Sequence, residues 1–316
     1  MAKCTLCPRR CGADREVRPG VCGVRSEMRV AGIMLHHWEE PCLSGNVEDG
    51  RGSGAVFFTG CPLHCVFCQN GGISDGGDAG KAYTPRELAD AMLDLQNRGA
   101  YNINLVSPTQ FTDGIIEAVA IARPRLTIPV VWNTGGYERA ETVRTLDGTV
   151  DVYLTDFKYG SERTGRLYAN APDYAAEAAP ALAEMFRQTG APVYDDFPDK
   201  DTVDHPSPRL RRGVILRHLV LPGERLDSVS VLRTVAETVP PNDVILALMR
   251  QYTPDFAPAD REKFPHLGRR VTSFEYESVL REAIRLGFDG FTQEKKSAAA
   301  SFTPEFARKT PSPSSK

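Results

Sequence analysis

Residues 54–71 read G-A-V-F-F-T-G-C-P-L-H-C-V-F-C-Q-N-G. The β-branched and aromatic run at 54–58 reads as a strand. Cys61, Cys65 and Cys68 follow it at once in Cys-x3-Cys-x2-Cys spacing. Three thiolates therefore sit in a loop at a strand's carboxyl end, which is where barrels built of βα units keep their active sites. Three thiolates hold three irons of a cubane 4Fe–4S cluster and leave the fourth open to a bidentate ligand, unlike the four-cysteine set of an electron carrier. An open iron implies chemistry at the cluster. The competing reading of the same cysteines is a zinc loop.

Outward from this stretch, short apolar runs alternate with helical patterns, the signature of repeated βα units. Strands are expected at 54–58, 101–106, 128–132, 150–154, 214–219, 244–248 and 287–291. The clearest helix is 85–98: Thr84 and Glu87 form a capping box, Pro85 takes the first helical position, Leu88, Met92 and Leu95 share one face, and Gly99 stops it. A similar helix covers 274–286, with Thr272 and Glu275 in front and Gly287 behind. Right-handed crossovers then give a parallel sheet curling into a full or partial barrel. The expected class is α/β, a partial (β/α)6-type barrel over 51–294 with a small Cys-rich appendage at 1–50.

The appendage is rich in Cys, Gly and Arg, with a hairpin expected around 28–38. Residues 192–212 are polar and proline-rich and read as a surface insertion. The tail 295–316, of Ser, Pro, Ala and Lys, reads as disordered.

Composition narrows the function. The chain has 316 residues, 41% of them hydrophobic, enough for a real core. Its 38 basic and 41 acidic side chains leave a net charge of −3, which argues against nucleic acid or anionic lipid as partner. No apolar run reaches the roughly 20 residues needed to span a bilayer, and the opening M-A-K-C-T-L-C lacks an apolar signal segment, so a cytoplasmic protein is expected. All eight cysteines lie at or before Cys68. In a reducing compartment such a cluster points to metal rather than disulfides. Cysteines serving as small buried hydrophobes would be scattered through the core.

Polar or glycine-rich clusters follow the other expected strands: S-P-T-Q at 107–110, N-T-G-G-Y at 133–137, T-D-F-K-Y at 155–159, L-P-G-E at 221–224 and R-Q-Y at 250–252. Five on one rim make a site. With the cysteine motif, which has an aromatic before its last cysteine, they resemble the radical S-adenosylmethionine superfamily. The resemblance is nearest to the branch of pyruvate formate-lyase activating enzyme and its activating-enzyme-like relatives, over about residues 3–293. It runs through C-T-L-C-P-R-R-C-G, E-E-P-C-L-S-G, N-I-N-L-V-S-P-T-Q, W-N-T-G-G-Y, D-V-Y-L-T-D-F-K-Y, R-H-L-V-L-P-G and M-R-Q-Y.

What the resemblance implies falls on named residues. Cys61, Cys65 and Cys68 are the cluster thiolates, and the amino and carboxylate groups of S-adenosylmethionine chelate the fourth iron. Asp156 and Lys158 match the Asp-x-Lys pair that holds the ribose and methionine end; the plainer view is a surface ion pair. Asn133 resembles the Asn of a turn near the cofactor, though Asn also serves turns for its own sake. His218 matches a segment beside the adenine, or is a satisfied core histidine. Many members place G-G-E after the second strand to bind the amino group. Here stand Ser107, Pro108, Thr109 and Gln110, with hydroxyl and amide acceptors, Thr109 among them, in the carboxylate's place.

Cys4, Cys7, Cys11 and Cys22 offer four more thiolates, a closed set that fits an auxiliary 4Fe–4S cluster or zinc. Cys42 is either buried or a substitute ligand. His36, His37, Glu39 and Glu40 line the substrate side or form a solvated strand end.

The implied reaction is reductive cleavage of S-adenosylmethionine to methionine and a 5′-deoxyadenosyl radical that abstracts hydrogen from substrate, with flavodoxin or ferredoxin as the electron donor. The substrate is a glycyl-radical protein, another peptide or a small molecule. The alternative class is a non-catalytic iron–sulfur or zinc module for electron transfer or assembly.

Overall fold

The computed structural model describes residues 3–45, 50–195, 208–258, 260 and 262–293. In chain order the elements begin with β1 (Arg29–His36), α1 (Pro41–Ser44), β2 (Gly52–Phe58), α2 (Gly71–Ser74), β3 (Lys81–Ala82), α3 (Pro85–Asn97) and β4 (Ala100–Val106). Next come α4 (Thr112–Ala122), β5 (Val130–Thr134), α5 (Ala140–Arg144), β6 (Val152–Asp156), α6 (Glu162–Ala169), α7 (Tyr174–Thr189) and β7 (Val193–Tyr194). The series closes with β8 (Leu210–Leu219), α8 (Arg225–Thr238), β9 (Ile245–Met249), α9 (Ser273–Leu286) and β10 (Asp289–Thr292).

The strands form one mixed α/β sheet, mostly parallel and not closed. Its order is β10-β9-β8-β6-β5-β4-β2-β1-β3, with β7 paired to β8 off this path. From β2 to β10 every neighbouring pair is parallel, and helices supply the connections that parallel strands require. β1 and β3 add antiparallel strands beyond β2.

Local chemistry explains the elements. Thr84 and Glu87 close the capping box of α3, whose Leu88, Met92 and Leu95 are buried. Thr272 and Glu275 repeat the device on α9, which ends on left-handed Gly287. β2 is buried at all seven positions, as a central parallel strand covered on both faces should be. Trp132 on β5 and Tyr153 on β6 are fully buried in the main core.

Three expectations change. The 28–38 segment forms no hairpin of its own; as β1 it pairs with β2 from Val30↔Phe58 to His36↔Ser53 and so joins the main sheet. Its apolar alternation finds partners in the sheet rather than within the segment. β5 and β6 run two residues later than expected, so Asn133 lies on β5 rather than in the following turn, and Asp156 is the last residue of β6. The insertion expected at 192–212 falls outside the described residues over 196–207; its described ends pair as β7 and the start of β8. The tail expected from 295 also lies outside the described residues.

Candidate active site

A cavity of about 230 Å³ opens at the carboxyl ends of the parallel strands. The three cysteines of the loop after β2 line one side of it, and Asn133, Asp156, Lys158 and Arg217 line another.

The loop is shaped by its backbone. Gly60 has φ +84°, and a Cβ there would stand 2.5 Å from the Cys22 carbonyl oxygen, so glycine is required by conformation and space together. The Cys68 N–H donates to the Cys65 carbonyl at 3.0 Å, turning the chain back on itself. Gln110, from S-P-T-Q, clamps the strand end: its Nε2 donates to the carbonyls of Thr59, Gly60 and Ser107 at 2.9, 3.0 and 2.8 Å. From the far side the Val66 N–H donates to the Tyr168 carbonyl at 2.9 Å.

The sulfurs are held by N–H and O–H groups. The Leu63 N–H donates to Cys61 Sγ at 3.5 Å and the Tyr159 hydroxyl to Cys65 Sγ at 3.2 Å. Burial pushes the Cys61 thiol up to about 12 and the Cys68 thiol up to about 11, and raises Cys65 despite the nearby Lys158 ammonium and Tyr159 hydroxyl. Protein alone therefore keeps these thiols protonated at neutral pH. A bound cationic metal centre converts them to thiolates and releases the protons. This three-sulfur set, in a cavity with room beside it, fits a 4Fe–4S cluster with one open iron.

The other wall is an ion network centred on Arg217. Its Nε pairs with Asp156 Oδ1 at 3.2 Å, one terminal nitrogen with Glu39 Oε2 at 3.1 Å, and the other donates to Asn133 Oδ1 at 2.6 Å. Lys158 closes on the second Asp156 oxygen. Burial acts to raise the Asp156 carboxyl, but Lys158 and Arg217 outweigh it and hold the group below its usual range. Glu39 also accepts from Asn104 Nδ2 at 2.9 Å, so the segment after β1 is tied to β4 and β8. Asp156, Lys158 and Asn133 thus meet in one place, available to hydroxyl, amino and carboxylate groups of a ligand.

Other expected residues lie elsewhere. Thr109 is buried away from this cavity and donates to Glu138 at 2.5 Å; of its segment, Ser107 is the residue that lines the wall. His218 is buried outside the lining, its Nδ1–H donating to the Phe157 carbonyl at 2.7 Å. Of the acidic and histidine cluster, His36 and Glu39 line the cavity, and Glu40 is half-buried, with desolvation of its carboxyl pushing it up to about 7. Cys42 packs among Leu43, Val131, Val152 and Leu210 as a small hydrophobe. Cys4, Cys7, Cys11 and Cys22 border a second, smaller pocket.

Two residues with clear parts in the site were not singled out by sequence. Arg217 precedes the histidine noticed in R-H-L-V-L-P-G, and its register partner on β6 is Asp156, a pairing that only the fold reveals. Tyr159 ends T-D-F-K-Y, and no spacing rule connects it to Cys65, 94 positions earlier.

Among the described residues no helix is long and apolar enough to cross a membrane. The chain resembles the uncharacterized protein MJ0674 of Methanocaldococcus jannaschii, 28% identical over 296 residues that cover 90% of this chain and 75% of that protein. Residues 55–205, from β2 past β7 and including the three loop cysteines, Asp156 and Lys158, match the family model of the radical SAM superfamily, whose domains bind a 4Fe–4S cluster and S-adenosylmethionine. The chain therefore carries a radical SAM superfamily domain.

Proposed function

We propose that this protein is a radical S-adenosylmethionine enzyme whose site cluster is held by Cys61, Cys65 and Cys68, in a sheet curled as a partial (β/α)6 barrel. The observation that carries the reading is that these three thiols share one cavity with the Asp156–Lys158–Arg217–Asn133 network. When bound and reduced, the cluster supplies the electron that splits the cofactor into methionine and a 5′-deoxyadenosyl radical, which takes a hydrogen atom from substrate. The chain's own residues do the positioning. With the cofactor bound, Asp156 would offer carboxylate oxygens to ribose hydroxyls or the amino group, Lys158 and Arg217 would supply positive charge for the methionine carboxylate, and Asn133 would offer an amide to either. The aromatic edges of Tyr168 and Tyr252 pack on Phe67 at 6.0 and 6.1 Å and keep water from the loop's flank.

For the substrate, activation of a glycyl-radical protein is the leading reading, and flavodoxin or ferredoxin the electron donor, in a cytoplasmic protein without nucleic-acid or membrane partners. A peptide or small molecule is the second reading. It is favoured by His36 and Glu39, which bring the segment around the end of β1 into the cavity wall and narrow the space left for a folded partner. A non-catalytic iron–sulfur module stands third, since it has no use for the Asp156–Lys158 pair beside the thiols.

Anaerobic reconstitution tests the central reading. Reduced wild type should release 5′-deoxyadenosine from S-adenosylmethionine, and Cys65→Ala should lose both site iron and cleavage. Continued release by the Cys61/Cys65/Cys68 triple alanine variant would sink it. A glycine-centred doublet in electron paramagnetic resonance after incubation with a glycyl-radical protein would support activation; active cleavage with no doublet would favour the second reading.

A further inference from the structure

We propose that Cys4, Cys7, Cys11 and Cys22 bind a second, thiophilic metal centre that braces the Cys61 loop from behind. The centre is a zinc ion or an iron–sulfur cluster, both of which take four thiolates. The role assigned to the brace rests on the loop's function proposed above; the metal site itself does not.

Four thiols from three turns border one small pocket with Arg15, Pro62 and Gln110. The turns are built to point sulfur inward. Cys11 and Cys22 are each followed by a glycine in the left-handed region, Gly12 at φ +61° and Gly23 at φ +80°. Gly20 leaves the space between two of the sulfurs open: a Cβ there would stand 3.4 Å from both Cys11 Sγ and Cys22 Sγ.

Backbone N–H groups, mostly from two residues on, favour the thiolate forms of these sulfurs: Arg9 at Cys7, Val21 and Ala13 at Cys11, and Val24 at Cys22. The cluster loop uses the same offset, Leu63 at Cys61 and Asn70 at Cys68. Such donors stabilise and orient thiolates, as partners of metal ligands do. Cys42, by contrast, lies in a separate apolar cluster, which leaves four thiols and no fifth.

The second set is built onto the first. The Cys61 N–H donates to the Cys22 carbonyl at 3.2 Å, and His64 Nε2 donates to the Val21 carbonyl at 2.7 Å. Arg9, between Cys7 and Cys11, donates through Nε to the Pro62 carbonyl at 2.8 Å. A metal that fixes Cys22 and Cys7 therefore fixes three hydrogen bonds to the catalytic loop, one between backbones and two through side chains. Fewer than thirty residues with little regular structure otherwise have only these and a few apolar contacts to hold their shape, and metal ligation contributes folding free energy directly to such segments.

The test uses the full chain in which Cys61, Cys65 and Cys68 are alanine, so any stoichiometric metal belongs elsewhere. It should hold about one zinc or about four irons with sulfide per chain. Adding Cys7→Ser and Cys11→Ser should remove that metal, and Cys42→Ser should not. Zinc without sulfide identifies a mononuclear site, and iron with equal sulfide a cluster; either supports the proposal. A triple variant without stoichiometric zinc or iron, both as purified and after anaerobic reconstitution, overturns it even if the further variants do not fold. The brace has its own readout. Hydrogen exchange over 58–68 should quicken when the second centre is removed by chelation from the triple variant, and unchanged exchange would overturn that half of the proposal.

Discussion

The Tyr159 hydroxyl, three positions beyond the end of β6, donates a hydrogen bond to Cys65 Sγ at 3.2 Å. Tyr159 is fully buried, so this contact is made without competition from water. A donor to a cluster sulfur favours the more negative, reduced state and raises the reduction potential. Tyr159→Phe keeps the ring and removes only the donor. With a differential worth about 1 kcal/mol, the midpoint should fall by about 40 mV for a one-electron couple. A redox titration followed by electron paramagnetic resonance reads this directly, and an unchanged midpoint would show that the hydroxyl does not act on the cluster.

Arg217 joins Glu39, Asp156 and Asn133, and its guanidinium is largely withdrawn from water. Arg217→Met leaves the Glu39 carboxylate without its ion-pair partner and Asp156 with Lys158 alone. Removing one member of a buried ionic set costs about 3–5 kcal/mol. In a chain of 316 residues that is a fall of about 5–8 °C in Tm. Arg217→Lys restores the charge but not the fork, and should recover only part of it. Binding of S-adenosylmethionine should weaken in both variants. A Tm within a degree of wild type for Arg217→Met would mean the network is not coupled to the fold.

The difference between Asp156 and Arg217 shows what the sequence could and could not reveal. Asp156 ends β6 and Lys158 stands two residues on, so an extended chain at that point is enough for the sequence to suggest their common side. Arg217 lies 61 positions from Asp156 and meets it through the register of β6 against β8. Register across a parallel crossover is set by packing of the whole unit, and no local pattern encodes it. The same limit explains Thr109 and Gln110, whose polar side chains look like ligand contacts in S-P-T-Q but are spent on Glu138 and on the carbonyls of the strand end. Elements with strong local signals, such as the capped helices α3 and α9, lie within a residue of their expected places.

Glu275 makes acid sensitivity predictable. Its carboxylate accepts from Arg269, from the Thr272 N–H and hydroxyl, and from the Gly223 N–H at 2.8 Å. The Arg269 guanidinium first, then these backbone donors, hold it well below the ordinary carboxylate range against the opposing effect of burial. A depressed folded-state value means the stabilisation is complete above the unfolded value of about 4.3 and is lost as pH falls through the folded one. Glu275→Gln should therefore cost about 1–3 kcal/mol at pH 7. The gap to wild type should narrow steadily below about pH 4. Urea titrations at pH 7 and pH 3 with equal gaps would contradict this.

Gly136 and Gly148 provide a matched pair, since both lie in the left-handed region, at φ +78° and +76°. A side chain at either position carries a conformational cost of about 1 kcal/mol. At Gly148 nothing stands within 4 Å of an added Cβ, so Gly148→Ala should cost that and no more. At Gly136 the added Cβ would stand 2.0 Å from the Asp156 carbonyl oxygen and 2.7 Å from the Tyr174 hydroxyl. Tyr174 is itself fixed by hydrogen bonds with the Gly135 carbonyl and the Lys158 N–H, so neither neighbour can retreat without moving the end of β6. Gly136→Ala should thus lose about 3 kcal/mol or more. It should also weaken S-adenosylmethionine binding through displacement of Asp156 and Lys158, while Gly148→Ala binds normally. Denaturant titration and equilibrium binding of the two variants side by side decide the matter: equal losses of stability would show that the N-T-G-G-Y turn does not press on the Asp156 backbone, and with that the steric link between the turn and the ion network would fall.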